Sequence, residues 1–356
     1  MKEEEVKELV MELSFAVGIS GSEESATAAA SRHLERYVTR VWRDRLGNLI
    51  AFKEGDKPGE EPFSLALVAH IDEIGAMVTK IEEGGALRFT GVGGIDPRIL
   101  PGQPVEVHGR TLLKGVVGAK APHLLSEKER REASKFEDLF IDIGLTKEQA
   151  EKQVRIGDLV SFDAPPLAMT AGKNIAGKSL DDRAGVAALV ICAAELAAAR
   201  HRANIYFVAS VQEEVGLRGA TTAAYGLVPD LAVAIDVTHG EAPGLTPPDV
   251  FELGGGPAIA VGPNFHPALT ARLEELARDN RFSIQREADT GVPGTDAWVI
   301  QVSREGIPAA LLSIPLRYMH TTVEMLSLDD LINTGRLLAA FARSLDRPFV
   351  EGLACF

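Results

Sequence analysis

Five polar clusters in this sequence interrupt apolar strands or the start of a helix. They are AHIDEIG (69–75), SLDDRAG (179–185), VQEEVG (211–216), AIDVTHG (234–240) and RYMHTT (317–322). Four of them directly follow predicted strands, and ligand sites of open α/β sheets form beyond the carboxyl ends of strands. The ligand-type side chains that these clusters supply are His70, Asp72, Asp181, Asp182, Glu213, Glu214, Asp236 and His320. The pattern therefore predicts one polar site at a sheet edge.

So many carboxylates in a partly buried pocket require cations, because mutual repulsion and desolvation would otherwise protonate them. Imidazole together with carboxylate suits zinc, cobalt or manganese, whereas an all-oxygen set would indicate calcium or magnesium. Two ions about 3.5 to 4 Å apart would need a bridging carboxylate and would polarise one shared water. The clusters thus indicate a site for divalent metals.

Each cluster also has a purely structural interpretation. A single histidine at the end of a strand, such as His70, is more often structural than metal-binding. Asp181 and Asp182 could cap a helix and stabilise its dipole, and Glu213 and Glu214 could form a solvated turn. The functional interpretation is favoured because several independent strand ends carry ligand-type residues in one chain.

The composition is that of a soluble globular protein. Of the 356 residues, 46% are hydrophobic and 25% are charged, and the net charge of −14 disfavours nucleic-acid partners. The longest apolar stretch, residues 184–199, is interrupted by Glu195 and is too weakly hydrophobic to span a membrane. The two cysteines, Cys192 and Cys355, cannot make a disulfide framework, which predicts a reducing cytoplasm as the location.

The hydrophobic pattern predicts an α/β domain that carries an insertion. Apolar runs predict strands at residues 63–70, 204–211, 231–236 and 309–314. Helices are predicted at residues 183–200, 267–279 and 328–344. Between Gly75 and about Leu167, short alternating segments with GG, DP and PG turns predict a small β-rich unit. We therefore expect a catalytic domain from residues 1–72 and 166–356 and an inserted domain from residues 73–165.

The N-terminal segment predicts two helices. MKEEEVKELVMELSF is too acidic for a signal peptide and has apolar residues at helical spacing, which indicates a surface helix. Ser20, with Glu23 three residues later, predicts a capping box at the start of a second helix that continues to about Arg40.

The clusters, together with further motifs, resemble the dinuclear metallo-aminopeptidases of the glutamyl-aminopeptidase and TET type, some relatives of which are described as endoglucanases. The motifs are AHIDEIG (69–75), GAKAPH (118–123), DLFIDIG (138–144), GDLVSF (157–162), GKSLDDRAG (177–185), QEEVGLRGA (212–220), DVT (236–238), PGTDAW (293–298) and PLRYMHTTVE (315–324). The resemblance is specific, because these motifs occur in a fixed order through nearly the whole chain with unrelated sequence between them.

The resemblance implies a set of metal ligands. His70 and Asp236 would hold one divalent ion, and Glu214 and His320 would hold the other. Asp181 would bridge the two ions. The implied cofactors are two zinc or cobalt ions per subunit, and both metals suit these ligands comparably.

The resemblance also implies roles for neighbouring residues. Glu213 would be the general base, and Asp72 would hold the His70 ring through its other nitrogen. Asp182 is the alternative to Asp181 as the bridge; Asp181 is preferred because looser relatives keep an acid at the first position. His239, which follows the DVT motif, departs from the family pattern. Two interpretations of this histidine stay open: a ligand in the pocket or a surface residue.

The architecture implied by the resemblance is a mixed-sheet, zinc-peptidase-like α/β domain covered by helices, with an inserted small β-barrel-like domain used for dimerisation. Such subunits often form a homo-oligomer, in many cases a tetrahedral dodecamer. The implied activity is metal-dependent hydrolysis of the N-terminal bond of short peptides through a metal-bridged water. The preferred N-terminal residue is not readable from the sequence.

Two alternative functions remain open. A glycoside hydrolase of the endoglucanase type needs two carboxyl groups placed across a sugar ring, one of them protonated. Aromatic residues for sugar stacking are scarce, at 6% with two tryptophans. A metal-stabilised scaffold without turnover would not need a base, yet Glu213 is present.

Overall fold

The computed structural model of the protein describes residues 1–56, 62–291 and 294–353, so Cys355 and Pro293 of the PGTDAW motif lie outside the described residues. The strands are β1 (Arg40–Arg43), β2 (Leu49–Lys53), β3 (Ser64–His70), β4 (Gly75–Ile81), β5 (Leu87–Val92), β6 (Pro104–His108), β7 (Leu112–Ala119), β8 (Leu139–Asp142), β9 (Leu159–Phe162), β10 (Leu167–Ala168), β11 (Asn174–Gly177), β12 (Asn204–Ser210), β13 (Leu231–His239), β14 (Ala258–Val261), β15 (Gln285–Ala288), β16 (Ala309–Arg317) and β17 (Glu324–Ser327). The α-helices are α1 (Glu3–Phe15), α2 (Glu24–Leu34), α3 (Lys147–Gln153), α4 (Leu180–Glu195), α5 (Arg218–Leu227), α6 (Pro267–Asn280), α7 (Asp296–Gln301), α8 (Leu328–Ser344) and α9 (Arg347–Glu351).

A mixed sheet forms the centre of the α/β domain. Its main path is β1-β2-β12-β3-β13-β16-β17-β11-β10, and β14 and β15 extend it from β16. Strands β12, β3, β13 and β16 are parallel neighbours. The sequences of these strands are nearly continuous apolar runs, because helices cover both faces of the sheet, as is usual for parallel strands. The predicted mixed-sheet α/β domain covered by helices is thereby confirmed.

Helix α4 is the buried centre of one layer. It packs on α1, α8 and β3, and its residues from Leu180 to Ala193 are all buried. Small side chains such as Ala187 and Ala188 let these elements approach closely. No helix in the described ranges combines the length and the hydrophobicity needed to cross a bilayer.

Strands β4 to β9 close into a separate barrel in the order β4-β5-β8-β7-β6-β9. The barrel has its own apolar core, which includes Val78, Leu87, Val107, Leu139 and Ile141. Closure removes the exposed sheet edges that a small open sheet would leave. This confirms the predicted β-barrel-like insertion; the exact domain limits at residues 72/73 and 165/166 stay a prediction.

The predicted capping box of the second helix is wrong. The Ser20 hydroxyl donates to Oδ2 of Asp72 at 2.6 Å, so it caps no helix. Helix α2 begins one residue after Glu23 and ends at Leu34. The sequence predicts that the helix continues to about Arg40, but this residue instead begins β1, which pairs with β2. A long-range hydrogen bond and a strand partner, both invisible in a local pattern, decide these boundaries.

A buried ion-pair network joins the barrel to the α/β domain. Glu73, two residues before β4, accepts hydrogen bonds through Oε2 from Nζ of Lys178 at 2.6 Å and from the Ser179 hydroxyl. Its Oε1 accepts one from the Gly18 N–H at 2.8 Å. Burial opposes ionisation of Glu73, but the charges of Lys178 and Arg183 outweigh it and hold the pKa of Glu73 below its usual value.

Arg183 extends this network to the N-terminal helix. Its guanidinium donates to the main-chain oxygens of Ile71 at 2.6 Å, Leu13 at 2.7 Å and Ala16 at 2.8 Å. The first turn of α4, the end of β3 and the end of α1 are therefore fixed to one another by a single fully buried side chain.

Substitution of Glu73 by Gln should lower the free energy of unfolding by about 3 to 5 kcal/mol, because it leaves Lys178 and Arg183 buried without their counter-charge. Denaturant unfolding at neutral pH measures the change. The folded pKa of Glu73 lies below the unfolded value of 4.5, so the contribution is present above that pH and is lost as pH falls through the folded pKa.

The matched control is Glu148→Gln, which breaks an exposed pair with Lys152. We expect its unfolding midpoint to equal that of the wild type. A Glu73→Gln chain as stable as this control would contradict the prediction.

Candidate functional site

The site residues predicted from the sequence lie together at one edge of the central sheet. Because β12, β3, β13 and β16 are parallel, their carboxyl ends share this edge. His70 ends β3, Asp236 lies near the end of β13, and residues 213–214 follow β12. His320 follows β16, and Asp181 arrives from the first turn of α4.

Asp181 lies between the two imidazoles. Its Oδ1 is 3.0 Å from Nε2 of His70, and its Oδ2 is 3.3 Å from Nε2 of His320. Nε2 of His320 is also 3.2 Å from Oε1 of Glu214. Side chains that offer ligand atoms within 4.8 Å of one another form three groups: His70, Asp181 and Asp236; His70, Glu213 and Glu214; and Asp181, Glu214 and His320. Asp181 therefore connects a group around His70 with a group around His320.

Asp182 has different neighbours. Its Oδ1 accepts a hydrogen bond from the N–H of Gly185 at 2.9 Å, and its Oδ2 accepts one from the N–H of His70 at 3.3 Å. A Cβ at Gly185 would lie 2.3 Å from Oδ2, so the glycine is needed for this approach. The carboxylate of Asp182 is thus directed at the backbone, and that of Asp181 at two imidazoles.

The adjacent Glu213 and Glu214 contact different imidazoles. Oε2 of Glu213 is 4.0 Å from Nε2 of His70, whereas Oε1 of Glu214 is 3.2 Å from Nε2 of His320. The preceding residue, Gln212, has φ of +57°, a left-handed conformation that ends the extended strand. This turn reorients the chain, so neighbouring glutamates can face separate parts of the site.

Asp72 supports the same turn. Its Oδ1 accepts the N–H of Glu213 at 2.9 Å, and its Oδ2 accepts the N–H of Glu214 at 3.2 Å and the hydroxyl of Ser20 at 2.6 Å. Nδ1 of His70 is 3.6 Å from the Asp72 carboxylate but 3.2 Å from the Asp72 main-chain oxygen. The nearer partner of the His70 ring is therefore the main chain of Asp72.

His320 is held by two residues that the sequence analysis did not single out. Its Nδ1 is 2.9 Å from the main-chain oxygen of Gly94, in the barrel segment between β5 and β6. A Cβ at Gly94 would lie 2.8 Å from that nitrogen. The N–H of His320 donates to Glu324, which also accepts the N–H of Asp181. Glu324 ends the motif PLRYMHTTVE, but nothing local marks it as buried.

A further carboxylate, Asp296, was also missed as a site residue. It is buried, its Oδ2 accepts a hydrogen bond from the hydroxyl of Ser210, and its Oδ1 has no hydrogen-bond partner within the described residues. Burial raises the pKa of Asp296 to about 6. Asp296 is the first residue of a short helix, where an acidic side chain usually stabilises the helix end. Its sequence position therefore did not mark it as a site residue. His239, in contrast, is exposed and belongs to none of the three ligand groups.

The electrostatics of the site reflect anions crowded into a buried space. Burial raises the pKa of Glu213 to about 10 and the pKa of Asp236 well above its usual value. Hydrogen bonds to Asp181 and Glu214 raise the pKa of His320 to about 11. The protein groups alone therefore relieve their repulsion by binding protons, and cations can take the place of those protons.

The donor set fits divalent metal ions. Two imidazoles and several carboxylates are the ligand types of zinc and cobalt sites. Among the described residues, the ion-pair partners of Asp181, Glu213 and Glu214 are the two imidazoles. The nearby Lys178 and Arg183 face Glu73 instead. Within the described ranges, no ion pair with lysine or arginine therefore compensates Asp181, Glu213 or Glu214.

Comparison with known proteins agrees with the motifs. The family model of the M42 glutamyl aminopeptidases matches residues 47–337. A lysyl aminopeptidase of Pyrococcus furiosus is 36% identical over 343 residues, which is 95% of this chain and 97% of that protein. A glutamyl aminopeptidase of Lactococcus lactis is 29% identical over 311 residues, covering 85% and 86%.

Solved structures give the same fold. An aminopeptidase from the archaeon Desulfurococcus kamchatkensis has a TM-score of 0.92 at 34% identity and covers 99% of each chain. The TET1 peptidase of Pyrococcus horikoshii, which can assemble into a tetrahedron or a large octahedral shell, has a TM-score of 0.84 at 34% identity, covering 96% and 100%. A Thermotoga maritima structure named as an endoglucanase has a TM-score of 0.77 at 31% identity, covering 97% and 99%.

Zinc binding at neutral pH should release protons, and His320 should supply one of them. With a pKa of about 11, His320 is protonated at neutral pH and must lose its proton to ligate a metal. Since this pKa is raised, the stabilisation from its ion pairs is fully present below the unfolded value of 6.5 and is lost as pH rises towards 11. Calorimetric zinc titrations in buffers of different ionisation enthalpy count the protons.

The variant His320→Ala should release fewer protons than the wild type. His239→Ala, which removes an exposed imidazole at the end of β13, should release as many as the wild type. Equal proton release by His320→Ala and the wild type would refute this assignment.

Proposed function

The chain belongs to the M42 glutamyl aminopeptidase family, and on this premise we propose that it is a dinuclear metallo-aminopeptidase that removes the N-terminal residue of short peptides. The family predicted from the motifs is confirmed. The observation that carries the proposal is the Asp181 carboxylate lying between the imidazoles of His70 and His320, with Glu213 beside His70.

The proposed ligands follow the observed groups of side chains. His70 and Asp236 are assigned to one divalent ion, Glu214 and His320 to the other, and Asp181 to both, in support of which Asp181 belongs to both groups. Zinc and cobalt suit this set comparably. Bound there, the two ions would act as Lewis acids on the scissile carbonyl and would lower the pKa of a shared water.

Asp181, rather than Asp182, is proposed as the bridging carboxylate. Both oxygens of Asp181 face imidazole nitrogens. Both oxygens of Asp182 accept hydrogen bonds from backbone N–H groups, which leaves them poorly oriented to ligate metal ions. Asp182 then serves to hold the start of α4 against the end of β3.

Glu213 is proposed as the general base. Its N–H is fixed by Asp72, and its carboxylate lies beside His70. Burial raises the pKa of Glu213 to about 10, and divalent cations bound nearby would lower it by favouring the charged form of the carboxyl group. Glu213 can then take a proton from the attacking water as the C–O bond forms. It returns that proton to the amine as the C–N bond breaks.

Endoglucanase activity is the second candidate, because the Thermotoga maritima structure carries that name. A glycoside hydrolase needs two carboxyl groups about 5 to 10 Å apart with room for a sugar between them. Within each of the three ligand groups of this site, the carboxylate and imidazole ligand atoms lie within 4.8 Å of one another, which favours cations. A scaffold that binds metal without turnover is the third candidate. Assays of peptide cleavage, cellulose hydrolysis and metal binding distinguish the three candidates.

We also propose that the subunits form a homo-oligomer through the barrel, with a tetrahedral dodecamer as the expected assembly. The Pyrococcus horikoshii TET1 peptidase can assemble into a tetrahedron or a large octahedral shell. In this chain, β7 exposes Leu112 and Val116 on one side of the barrel, at 55% and 51% exposure. Exposed apolar side chains grouped on one face are typical of surfaces that a partner covers. The buried free thiol of Cys192 supports a cytoplasmic location.

Release of free amino acids from unblocked and N-acetylated short peptides tests the activity. Metal-loaded protein should cleave only the unblocked peptides, and chelator should abolish cleavage. Glu213→Gln should lower turnover by about 10²- to 10⁴-fold, because the general base is lost, and should retain both metal ions.

Glu214→Gln is the matched control, since it changes the neighbouring glutamate and should lose metal as well as turnover. Wild-type turnover in Glu213→Gln would remove Glu213 from the mechanism. Hydrolysis of carboxymethylcellulose without peptide cleavage would favour the endoglucanase, and metal binding with neither activity would favour the scaffold.

The charge-introducing variant Val116→Glu should reduce the mass of the assembly, because a buried carboxylate at an apolar interface is strongly disfavoured. Light scattering coupled to size-exclusion chromatography measures the mass. Arg336→Gln, which lowers the net charge by the same single unit at an exposed position of α8 outside the barrel, controls for altered net charge. An unchanged mass for Val116→Glu would place the subunit contact elsewhere.

A further inference from the structure

Glu324 is a buried carboxylate to which the proposed mechanism assigns no role. It is 1% exposed and is the first residue of β17. Its Oε2 accepts the N–H of Asp181 at 3.0 Å, and its Oε1 accepts the N–H of His320 at 2.9 Å. One carboxylate therefore joins two site residues that are distant in sequence.

Asp181 and His320 both lie on irregular backbone. Asp181 has φ of −77° and ψ of 107°, outside the helical region although it precedes the body of α4. His320 has φ of +59°, in the left-handed region. Their N–H groups cannot join a regular helix or strand ladder, and backbone N–H groups shielded from water need another acceptor. Glu324 supplies an acceptor to both.

The support beneath Glu324 is regular. Strand β17 pairs with β11, with Glu324 opposite Gly177, and its later residues pair with β16. Glu324 thus projects from the rigid sheet towards two segments that the sheet does not itself hold. Oδ2 of Asp181 and Nε2 of His320 lie 3.3 Å apart across this arrangement.

We propose that Glu324 is a positioning residue that sets the spacing of Asp181 and His320 for metal binding. The inference rests on the proposed function, because it concerns the same metal ligands. Asp72 provides a parallel within this chain, since it accepts the N–H groups of Glu213 and Glu214. The site then has two buried carboxylates, each of which fixes two ligand-bearing or catalytic residues through their main chain.

Both oxygens of Glu324 are needed for this role. A carboxylate offers two acceptors, whereas an amide offers one acceptor and one donor group. In Glu324→Gln, one backbone N–H would face an NH₂ group and lose its acceptor. Partners that orient metal ligands typically change metal affinity by about 10- to 100-fold when they are mutated.

The experiment measures zinc affinity by competition with a chromophoric chelator, together with the zinc content of the dialysed chain and its metal-free unfolding midpoint. Glu324→Gln should bind the zinc ion at Asp181 and His320 about 10- to 100-fold more weakly than the wild type. These readouts require no turnover, so they report on ligand spacing directly.

Asp330→Asn is the matched control. Asp330 is likewise fully buried, and its two oxygens accept the N–H groups of Gly254 and Gly256, both at 2.7 Å. Its substitution breaks the same kind of double hydrogen bond at residues that belong to none of the metal-ligand groups. We expect it to lower the unfolding midpoint while zinc affinity stays that of the wild type.

Unchanged zinc affinity in Glu324→Gln, or an equal loss in Asp330→Asn, would overturn the inference while leaving the proposed function in place. If Glu324→Gln does not fold, the zinc affinity of Glu324→Asp tests the inference instead. This variant keeps the charge and both acceptors but shortens the side chain. Weaker zinc binding by Glu324→Asp supports the inference, and wild-type affinity overturns it. A wild-type chain that binds neither zinc nor cobalt overturns the proposed function and this inference together.

Discussion

The structure of the site depends on keeping several carboxylates close together in a buried space. Asp181, Glu213, Glu214 and Asp236 lie around two imidazoles at the carboxyl edge of the sheet. Burial raises the pKa values of Glu213 and Asp236, which shows that this arrangement is unfavourable for these two anions unless protons or other cations neutralise them. A fold that holds such a cluster must fix each side chain firmly, because repulsion acts to separate them.

That rigidity comes largely from hydrogen bonds to the main chain around the site. Asp72 fixes the turn that carries Glu213 and Glu214, and Glu324 contacts the segments that carry Asp181 and His320. The parallel strands bring the segments to one edge, but the strands end before most of the reactive side chains. The final placement is therefore made by buried acceptors that reach irregular backbone.

The barrel contributes directly to the same site. The main-chain oxygen of Gly94 lies 2.9 Å from Nδ1 of His320, and a side chain at Gly94 would collide with the ring. At the other end of the junction, Glu73 pairs with Lys178 next to the start of α4. The insertion thus helps to orient His320 and is joined by an ion pair to the segment before Asp181, whereas the ligand side chains themselves come from the α/β domain.

The amino-acid sequence by itself determined the α/β class, the β-rich insertion, and the identity of the polar clusters, because apolar periodicity and residue type are local properties. Only the tertiary structure decided that Ser20 binds Asp72 instead of capping a helix, that Asp181 faces both imidazoles while Asp182 faces the backbone, and that Glu324 is buried beneath them. These outcomes depend on hydrogen bonds between residues far apart in the chain, and no local pattern encodes which distant N–H or hydroxyl a carboxylate will meet.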